Sequence, residues 1–457
     1  MPEAVPVERL TDEDARILAL EQGPVRGHIA KVLVLDGLHD VDALRTHVEP
    51  RIASIPRLRD RLAPAPLGLA PPAWIADERF SLDRHVRDGG RAADHAALER
   101  AVAALMEAPL DRDLPLWSID VIALADGRTA LVLRLHHCMA DGMTAMRIVR
   151  DLLLDGNADA SPPAPPPSAR PTARALASDA ARWRAAWAMR GVAAAARDLA
   201  GRAPGRADAA ERRERRAAIL RQLTPEGRPS ALARRAGRRR AVAFSSFPLD
   251  EIKAVGHSAP ERATVNDVVL AAVAGGLRRW FERLGAEPHE LRVKVPVSLH
   301  RPGEADLANR DSFMVVHLPL DEEDPVTRLL AIAAETRERK AAHAADALDA
   351  FFHDLGRFSS ALERLAERWA MSPRVFALNV SNVPGPPGNP TVMGSPLLAM
   401  YFIAEIAELH VLRVAVGSAA GRLSFGLCAD ADAVERLDLV ADGIGDELRA
   451  LRAAVRA

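Results

Sequence analysis

The chain has 457 residues, a formal charge of −1 and 49% hydrophobic content. That length predicts two or three domains rather than one core, and the near-neutral balance excludes a global basic field for nucleic acid. Two cysteines, Cys138 and Cys428, exclude a disulfide framework and a cysteine-built zinc cluster and fit a reducing compartment.

The start, Met1-Pro2-Glu3-Ala4-Val5, lacks the basic, apolar, small-residue order of a secretion leader. No stretch approaches the ~20 apolar residues of a membrane span. The expectation is a cytoplasmic protein, soluble or peripherally bound.

A first folded region is predicted over 1–156. His28 to Asp36 reads as a strand, and Val41 to Val48 and Ala96 to Met106 carry helical spacing. Ile119 to Leu124 and Ala130 to His136 read as two strands joined at Asp126-Gly127. Met143 to Leu154 places Met146, Val149 and Leu153 on one helical face, ended by Asp155-Gly156.

A linker is predicted over 157–240. Ser161 to Pro167 is a polyproline-prone run. An Ala/Arg-rich segment from Ala173 to Arg202 follows, with Trp183 and Trp187 one helical turn apart, and then the basic runs Arg212 to Arg216 and Arg238 to Arg240. This segment either lies on an anionic lipid surface or packs its alanines and tryptophans on both halves and solvates its arginines.

The second folded region spans 241–457. Strands are expected over Ala241 to Leu249, Leu291 to Val297, Phe313 to Leu318, Phe376 to Val383, His410 to Val416 and Leu423 to Cys428. Helices are expected over Thr264 to Trp280, Pro325 to Lys340 and Asp432 to Val455. Two α/β halves joined by a long crossing segment is the simplest architecture.

The chemistry concentrates in His136-His137-Cys138-Met139-Ala140-Asp141-Gly142, at the end of an apolar strand. Alternate strand residues face opposite sides, so His137 is in phase with Leu131, Leu133 and Leu135, and His136 with Arg134. An imidazole there can take a proton from an alcohol. Asp141 either bonds the imidazole or pairs with an arginine and fixes the loop, and Gly142 lets the backbone turn. A purely structural histidine pair and a metal site of His136, His137 and Asp141 are the competing readings; the second has no complementary ligand cluster. Cys138 reads as a small buried residue. No serine-nucleophile elbow, phosphate loop or dinucleotide fingerprint is present.

The His-His-x-x-x-Asp-Gly pattern matches acyltransferases with the chloramphenicol-acetyltransferase-like fold. Further segments resemble the bacterial wax ester synthase/diacylglycerol acyltransferase family. These are Pro109-Leu110-Asp111-Arg112, Pro115-Leu116-Trp117, Thr264 to Ala271, Val295-Pro296-Val297-Ser298, Ser381-Asn382-Val383-Pro384-Gly385-Pro386, and Gly421 to Asp430.

The resemblance implies two acetyltransferase-like subdomains, each a mixed sheet with helices, facing each other across a solvent tunnel. It implies an O-acyltransferase that moves a long-chain acyl group from acyl-CoA to diacylglycerol or a fatty alcohol. His137 would be the general base, with His136 supporting the site and Asp141 mainly structural. Gly142, Asn266, Asp267, Ser381 and Asn382 would border the substrate, and Pro115, Leu116 and Trp117 would line or brace the acyl pocket. Asn266-Asp267 otherwise caps its helix, Trp117 is otherwise a core residue, and Ser381-Asn382 is otherwise only the turn before Pro384-Gly385.

No metal and no organic cofactor is expected, acyl-CoA being a co-substrate. The expected partners are acyl-CoA and a hydroxylated lipid acceptor, with peripheral contact at the inner membrane or lipid droplets, and no nucleic acid. The competing functions are a carrier-protein-dependent, condensation-like or polyketide-associated acyltransferase, and a non-catalytic lipid-binding relative. The chain departs from the resemblance at Leu10 to Ala15, at Ala231 to Arg234, at Arg413 in place of an asparagine and at Ala419 in place of a tyrosine. These departures bear on the acceptor.

Overall fold

The computed structural model describes residues 7–21, 23–156, 171–199, 224, 230–298, 311–341 and 369–455. The Pro-rich run, Arg202 and Arg212 to Arg216 lie outside these residues.

The described strands are β1 (Glu8–Arg9), β2 (His28–Leu35), β3 (Asp60–Ala63), β4 (Ala73–Ala76), β5 (Val86–Ala92), β6 (Trp117–Leu124), β7 (Thr129–His136), β8 (Arg240–Pro248), β9 (Leu291–Ser298), β10 (Asp311–Leu318), β11 (Leu378–Pro384), β12 (Thr391–Val392), β13 (Ser395–Ala404), β14 (Leu412–Ala419) and β15 (Arg422–Asp430). The helices are α1 (Asp12–Leu20), α2 (Val41–Ile52), α3 (His95–Glu107), α4 (Gly142–Leu152), α5 (Ala173–Leu199), α6 (Leu249–Ser258), α7 (Val265–Arg283), α8 (Pro325–Ala341) and α9 (Leu437–Ala454). Local chemistry explains several starts. Asp40, Asp94 and Asp141 each cap a helix by accepting from a backbone N–H three residues on.

Two six-stranded mixed sheets carry the fold. The first runs β12-β13-β2-β7-β6-β5 and the second β10-β9-β11-β14-β15-β8. A small third sheet orders β1-β4-β3. One face of the first sheet, including Leu33, Leu131 and Leu133, packs on Leu44 and Val48 of α2 and Met146 and Val149 of α4. Its other face, including Val32 and Val132, packs on Leu98 and Val102 of α3 and reaches Val242 and Phe244 of β8. The second sheet is covered by α7, α8 and α9. From Val268 to Leu277 every residue of α7 is buried, so its hydrophobic run has no polar face.

The architecture departs from the predicted division at 241 in one respect. Thr391 to Ala404 belongs by sequence to the second half, yet β13 pairs antiparallel with β2 and completes the first sheet. The continuous apolar run Leu397 to Ile403 is a strand signal by itself; which sheet it joins is a tertiary matter. The strand at β8 also begins at Arg240, inside the predicted linker, and the last helix starts at Leu437 rather than Asp432. Elements without a predicted counterpart are β1, α1, β3, β4, β5, α6, β12 and the longer β13.

Crossing into the first sheet brings β13 against β14 and β15 at glycines. A Cβ on Gly417 would lie 2.1 Å from the Phe402 ring, and one on Gly426 would lie 2.1 Å from the Phe402 carbonyl oxygen. Phe402 is fully buried. Gly417→Ala is therefore expected to cost about 1–3 kcal/mol by overpacking. Differential scanning calorimetry should show the midpoint lowered; an unchanged midpoint would mean the junction yields freely.

Candidate active site

The two histidines part company where β7 ends. His136 is the last residue of the strand, paired across to His28, and its backbone N–H donates to the Leu116 carbonyl at 3.0 Å. Its ring is fully buried. Nδ1 accepts from the Cys138 backbone N–H at 3.1 Å, which puts the proton of a neutral ring on Nε2. Nε2 lies 3.5 Å from Glu21 Oε2. Burial alone would raise the Glu21 carboxyl, but its hydrogen bonds to His136 and Arg112 outweigh burial and hold it below the ordinary glutamate range. Gly27, at φ +67°, makes this packing possible, since a Cβ there would stand 2.8 Å from His136 Nε2.

His137 follows one residue later, its backbone N–H donating to the Gly27 carbonyl at 2.8 Å. The residue as a whole is half-buried. Nδ1 is buried without a hydrogen-bond partner among the described residues, and the main chain of His137 itself acts on the ring. Burial, then the Arg413 guanidinium, push this imidazole down to about 4. The ring is neutral at physiological pH, as a proton acceptor must be.

Among the described residues Asp141 bonds neither the imidazole nor an arginine. It is the N-cap of α4, its Oδ1 accepting from the Thr144 N–H at 2.6 Å. That cap ends the loop that follows His137 and starts α4. Gly142 packs on Val383 of β11, to which a Cβ would approach within 3.2 Å. The histidine loop and the β11 segment therefore meet at the junction of the two sheets.

The other predicted residues fall into distinct places. Trp117 is a core residue: its indole donates to the Leu58 carbonyl at 2.7 Å, and its ring stacks on His85 at 4.5 Å. Leu116 is fully buried and braces His136 through its carbonyl, while the Pro115 carbonyl accepts from the Trp117 N–H. Neither Asn266 nor Asp267 is the N-cap of α7. That residue is Thr264, and Asp267 closes a capping box with it and accepts from Thr336 Oγ1 at 2.6 Å. Asn266 sits partly exposed in the first turn with no side-chain hydrogen bond among the described residues. Ser381 and Asn382 are not turn residues but the middle of β11, in register with Ala415 and Val416, and both are partly exposed.

Sequence reading missed Gly27 and Glu21 beside His136 and the Arg413 charge that acts on His137. A glycine before a strand was visible, but its contact with His136 crosses more than a hundred residues. For a metal site, one candidate donor atom of each residue, His136 Nδ1 and Asp141 Oδ1, accepts from a backbone N–H. Among the described residues no group of three His, Cys, Asp or Glu side chains is placed to hold a metal. Cys138 is buried, which raises its thiol.

The chain is similar to known proteins over most of its length. The family model for the wax ester synthase/diacylglycerol acyltransferase catalytic domain fits residues 10–269, and the model for the C-terminal domain of the same family fits residues 307–452. A putative diacylglycerol O-acyltransferase of Mycobacterium tuberculosis H37Rv is 32% identical over 466 residues, covering 94% of this chain and 93% of its own. A probable diacylglycerol O-acyltransferase of M. tuberculosis CDC 1551 is 29% identical over 462 residues, covering 97% and 96%. Among solved structures, the wax ester synthase/diacylglycerol acyltransferase of Marinobacter aquaeolei VT8 aligns with a TM-score of 0.68 at 22% identity, over 98% of this chain and 100% of that one. The first condensation domain of the calcium-dependent antibiotic synthetase aligns at 0.60 and 18%, over 98% and 97%. The two structures share the two-subdomain fold.

Proposed function

From the premise that the chain belongs to the wax ester synthase/diacylglycerol acyltransferase family, and so is an acyltransferase, we propose how it works and on what. Acyl-CoA supplies a long acyl chain, and diacylglycerol or a fatty alcohol supplies the hydroxyl. His137 Nε2 takes the hydroxyl proton as the oxygen attacks the thioester carbonyl. The C–O bond forms, the C–S bond breaks, and the imidazolium returns the proton to the leaving CoA thiolate. Proton transfer suffices for this exchange, so the reading needs neither a metal nor an organic cofactor.

The observation that carries the reading is the division of labour in the histidine pair. His136 has Nδ1 bonded by the Cys138 N–H and Nε2 facing Glu21 at 3.5 Å, whereas His137 is neutral, half-buried and without a side-chain partner among the described residues. Asp141 serves the loop, and Asn266, Ser381 and Asn382 are the partly exposed polar side chains we assign to the substrate or its developing oxyanion. The test is thiol release from palmitoyl-CoA against a panel of hexadecanol, monoacylglycerol and diacylglycerol. Release that needs an acceptor supports the reading; acceptor-independent hydrolysis sinks it.

Peripheral lipid contact is a further part of the proposal. Among the described residues no helix is long and apolar enough to cross a membrane. In α5 the rings of Trp183 and Trp187 stack at 6.5 Å, Arg184 lies over Trp187, and Trp187 and Met189 are exposed. Tryptophan beside arginine suits an anionic interface. The protein should float with phosphatidylglycerol-containing liposomes, and Trp183→Ala/Trp187→Ala should reduce the floating fraction severalfold. Absence of a floating fraction in the unaltered protein would end this part.

A further inference from the structure

The connection between β3 and β4 is exposed, yet it carries no polar side chain. From Leu62 to Ala76 no residue is charged and none has a side-chain amide or hydroxyl. The stems are buried: Leu62 lies opposite Trp74, and Ala63 opposite Ala73. From Pro64 to Pro72 no residue is buried. A single exposed leucine is ordinary. Surface loops, however, are built mostly of polar turn residues, and this one offers water only apolar side chains.

The tip of the loop is a hydrogen-bonded turn. The Gly68 N–H donates to the Ala65 carbonyl at 3.1 Å and the Leu69 N–H to the Pro66 carbonyl at 3.2 Å, with Pro64, Pro66, Pro71 and Pro72 stiffening both sides. Leu67 takes φ 55° there, in the left-handed region that glycine or asparagine ordinarily fills, and is 95% exposed. Neither backbone preference nor burial accounts for a leucine at this position. An apolar side chain held out at such cost points to a contact outside the chain.

Arg9 joins this loop to α5. Its Nη1 donates to the Pro71 carbonyl at 2.7 Å, its Nε to Asp179 Oδ2 at 2.8 Å and its Nη2 to the Leu176 carbonyl at 3.3 Å. The helix also packs on the turn Pro66–Gly68. Trp183 and Trp187 stand one and two turns beyond Asp179. Over Ala173 to Met189 the helix carries Arg174, Arg182 and Arg184, all exposed, against one carboxylate, Asp179, which Arg9 and Arg182 share. The helix that flanks the apolar loop is therefore net positive.

We propose that the loop from Pro64 to Pro72 inserts into an anionic phospholipid surface, with Leu67 as its tip and the α5 arginines on the headgroups. An apolar turn flanked by exposed cations is the chemistry such a surface takes. The inference rests on the peripheral lipid contact assigned to Trp183 and Trp187 and adds to it a second element, distant from them in sequence. The loop also serves acyl transfer. Its stem residues Leu62 and Trp74 belong to the same hydrophobic core as Cys138, Met139 and Ala140 of the histidine loop. The half of the molecule that carries His137 is thus the half held at the surface in which a lipid acceptor is dissolved.

The experiment uses the full chain and phosphatidylcholine vesicles with or without phosphatidylglycerol. Leu67→Gly removes the apolar tip and suits the left-handed backbone, so it should fold with a thermal midpoint close to that of the unaltered protein. Its partition onto phosphatidylglycerol vesicles should fall about tenfold, the worth of one leucine side chain taken out of water. Leu67→Cys carrying a nitrobenzoxadiazole label reads the position directly, because Cys138 and Cys428 are buried and leave the loop thiol as the one to react. Its emission should shift to the blue on phosphatidylglycerol vesicles and be quenched by doxyl-labelled lipid. Unchanged partition of Leu67→Gly overturns the proposal, as does a label that stays in water; a loss of flotation in Trp183→Ala/Trp187→Ala would then leave the α5 contact standing. Equal binding with and without phosphatidylglycerol overturns the anionic partner. A blue shift on raising the protein concentration without lipid, with a doubled mass by light scattering, assigns the loop to a second copy of the chain and overturns the proposal too. No flotation of the unaltered protein removes this proposal together with the lipid contact it rests on, and leaves acyl transfer intact.

Discussion

His137→Ala should lower kcat/KM with any accepted alcohol by about 10²–10⁴-fold, the range for loss of a general base. The His137 backbone contact with Gly27 does not depend on the side chain, so the variant should fold. His136→Ala acts differently: it removes the acceptor for the Cys138 N–H and a donor to buried Glu21, and it should destabilise the loop as well as slow turnover. The pH profile separates the two roles. A base works when unprotonated, and burial with the Arg413 charge sets the His137 ring at about 4. The kcat/KM of the unaltered enzyme should therefore stay level from neutral pH down to about 5. It should fall only as the ring gains a proton around 4. A midpoint near the ordinary histidine value of ~6.5 would show a solvated ring, and full turnover in His137→Ala would remove it from the mechanism.

Glu447→Ala should destabilise the second half of the molecule by about 3–5 kcal/mol, the cost of leaving a buried charge uncompensated. Glu447 of α9 and Arg328 of α8 are each 1% exposed and hydrogen-bonded to one another. The other Glu447 oxygen accepts from Arg279 of α7 at 2.7 Å. The carboxylate thus ties together the three helices that cover the second sheet. Gly275 makes room for it, since a Cβ there would lie 2.2 Å from the carboxyl carbon. Urea unfolding followed by far-ultraviolet circular dichroism measures the loss. The paired change Glu447→Leu/Arg328→Met should recover most of it, because an apolar pair of similar volume spares both desolvation costs. A single-variant loss under ~1 kcal/mol would be the value of an exposed pair and would contradict this burial.

Much of this molecule was legible in one dimension. Strands β2, β6, β7, β9, β10, β14 and β15 and helices α2, α3, α4, α7 and α8 lie where alternation and helical spacing predict them. Those elements are long, their periods are clear, and the turn at Asp126-Gly127 is chemically marked. The phase of β7 also separates Leu133 and Leu135 from Arg134 as alternation requires. The motif segment was legible because its residues are contiguous. The exchange of caps was not: Thr264, Asn266 and Asp267 are all good capping residues, and only the backbone geometry of the helix start selects Thr264.

Sequence alone determined the class of the fold, the strand that carries the histidines and the chemistry an imidazole can do there, because periodicity and side-chain type are local properties. Tertiary structure decided that β13 leaves its own half to complete the first sheet, that Glu21 and Gly27 pack on His136, and that the Arg413 charge acts on the His137 ring. Each of these joins residues far apart along the chain, and burial and charge at such a meeting exist only after the sheets have closed on one another.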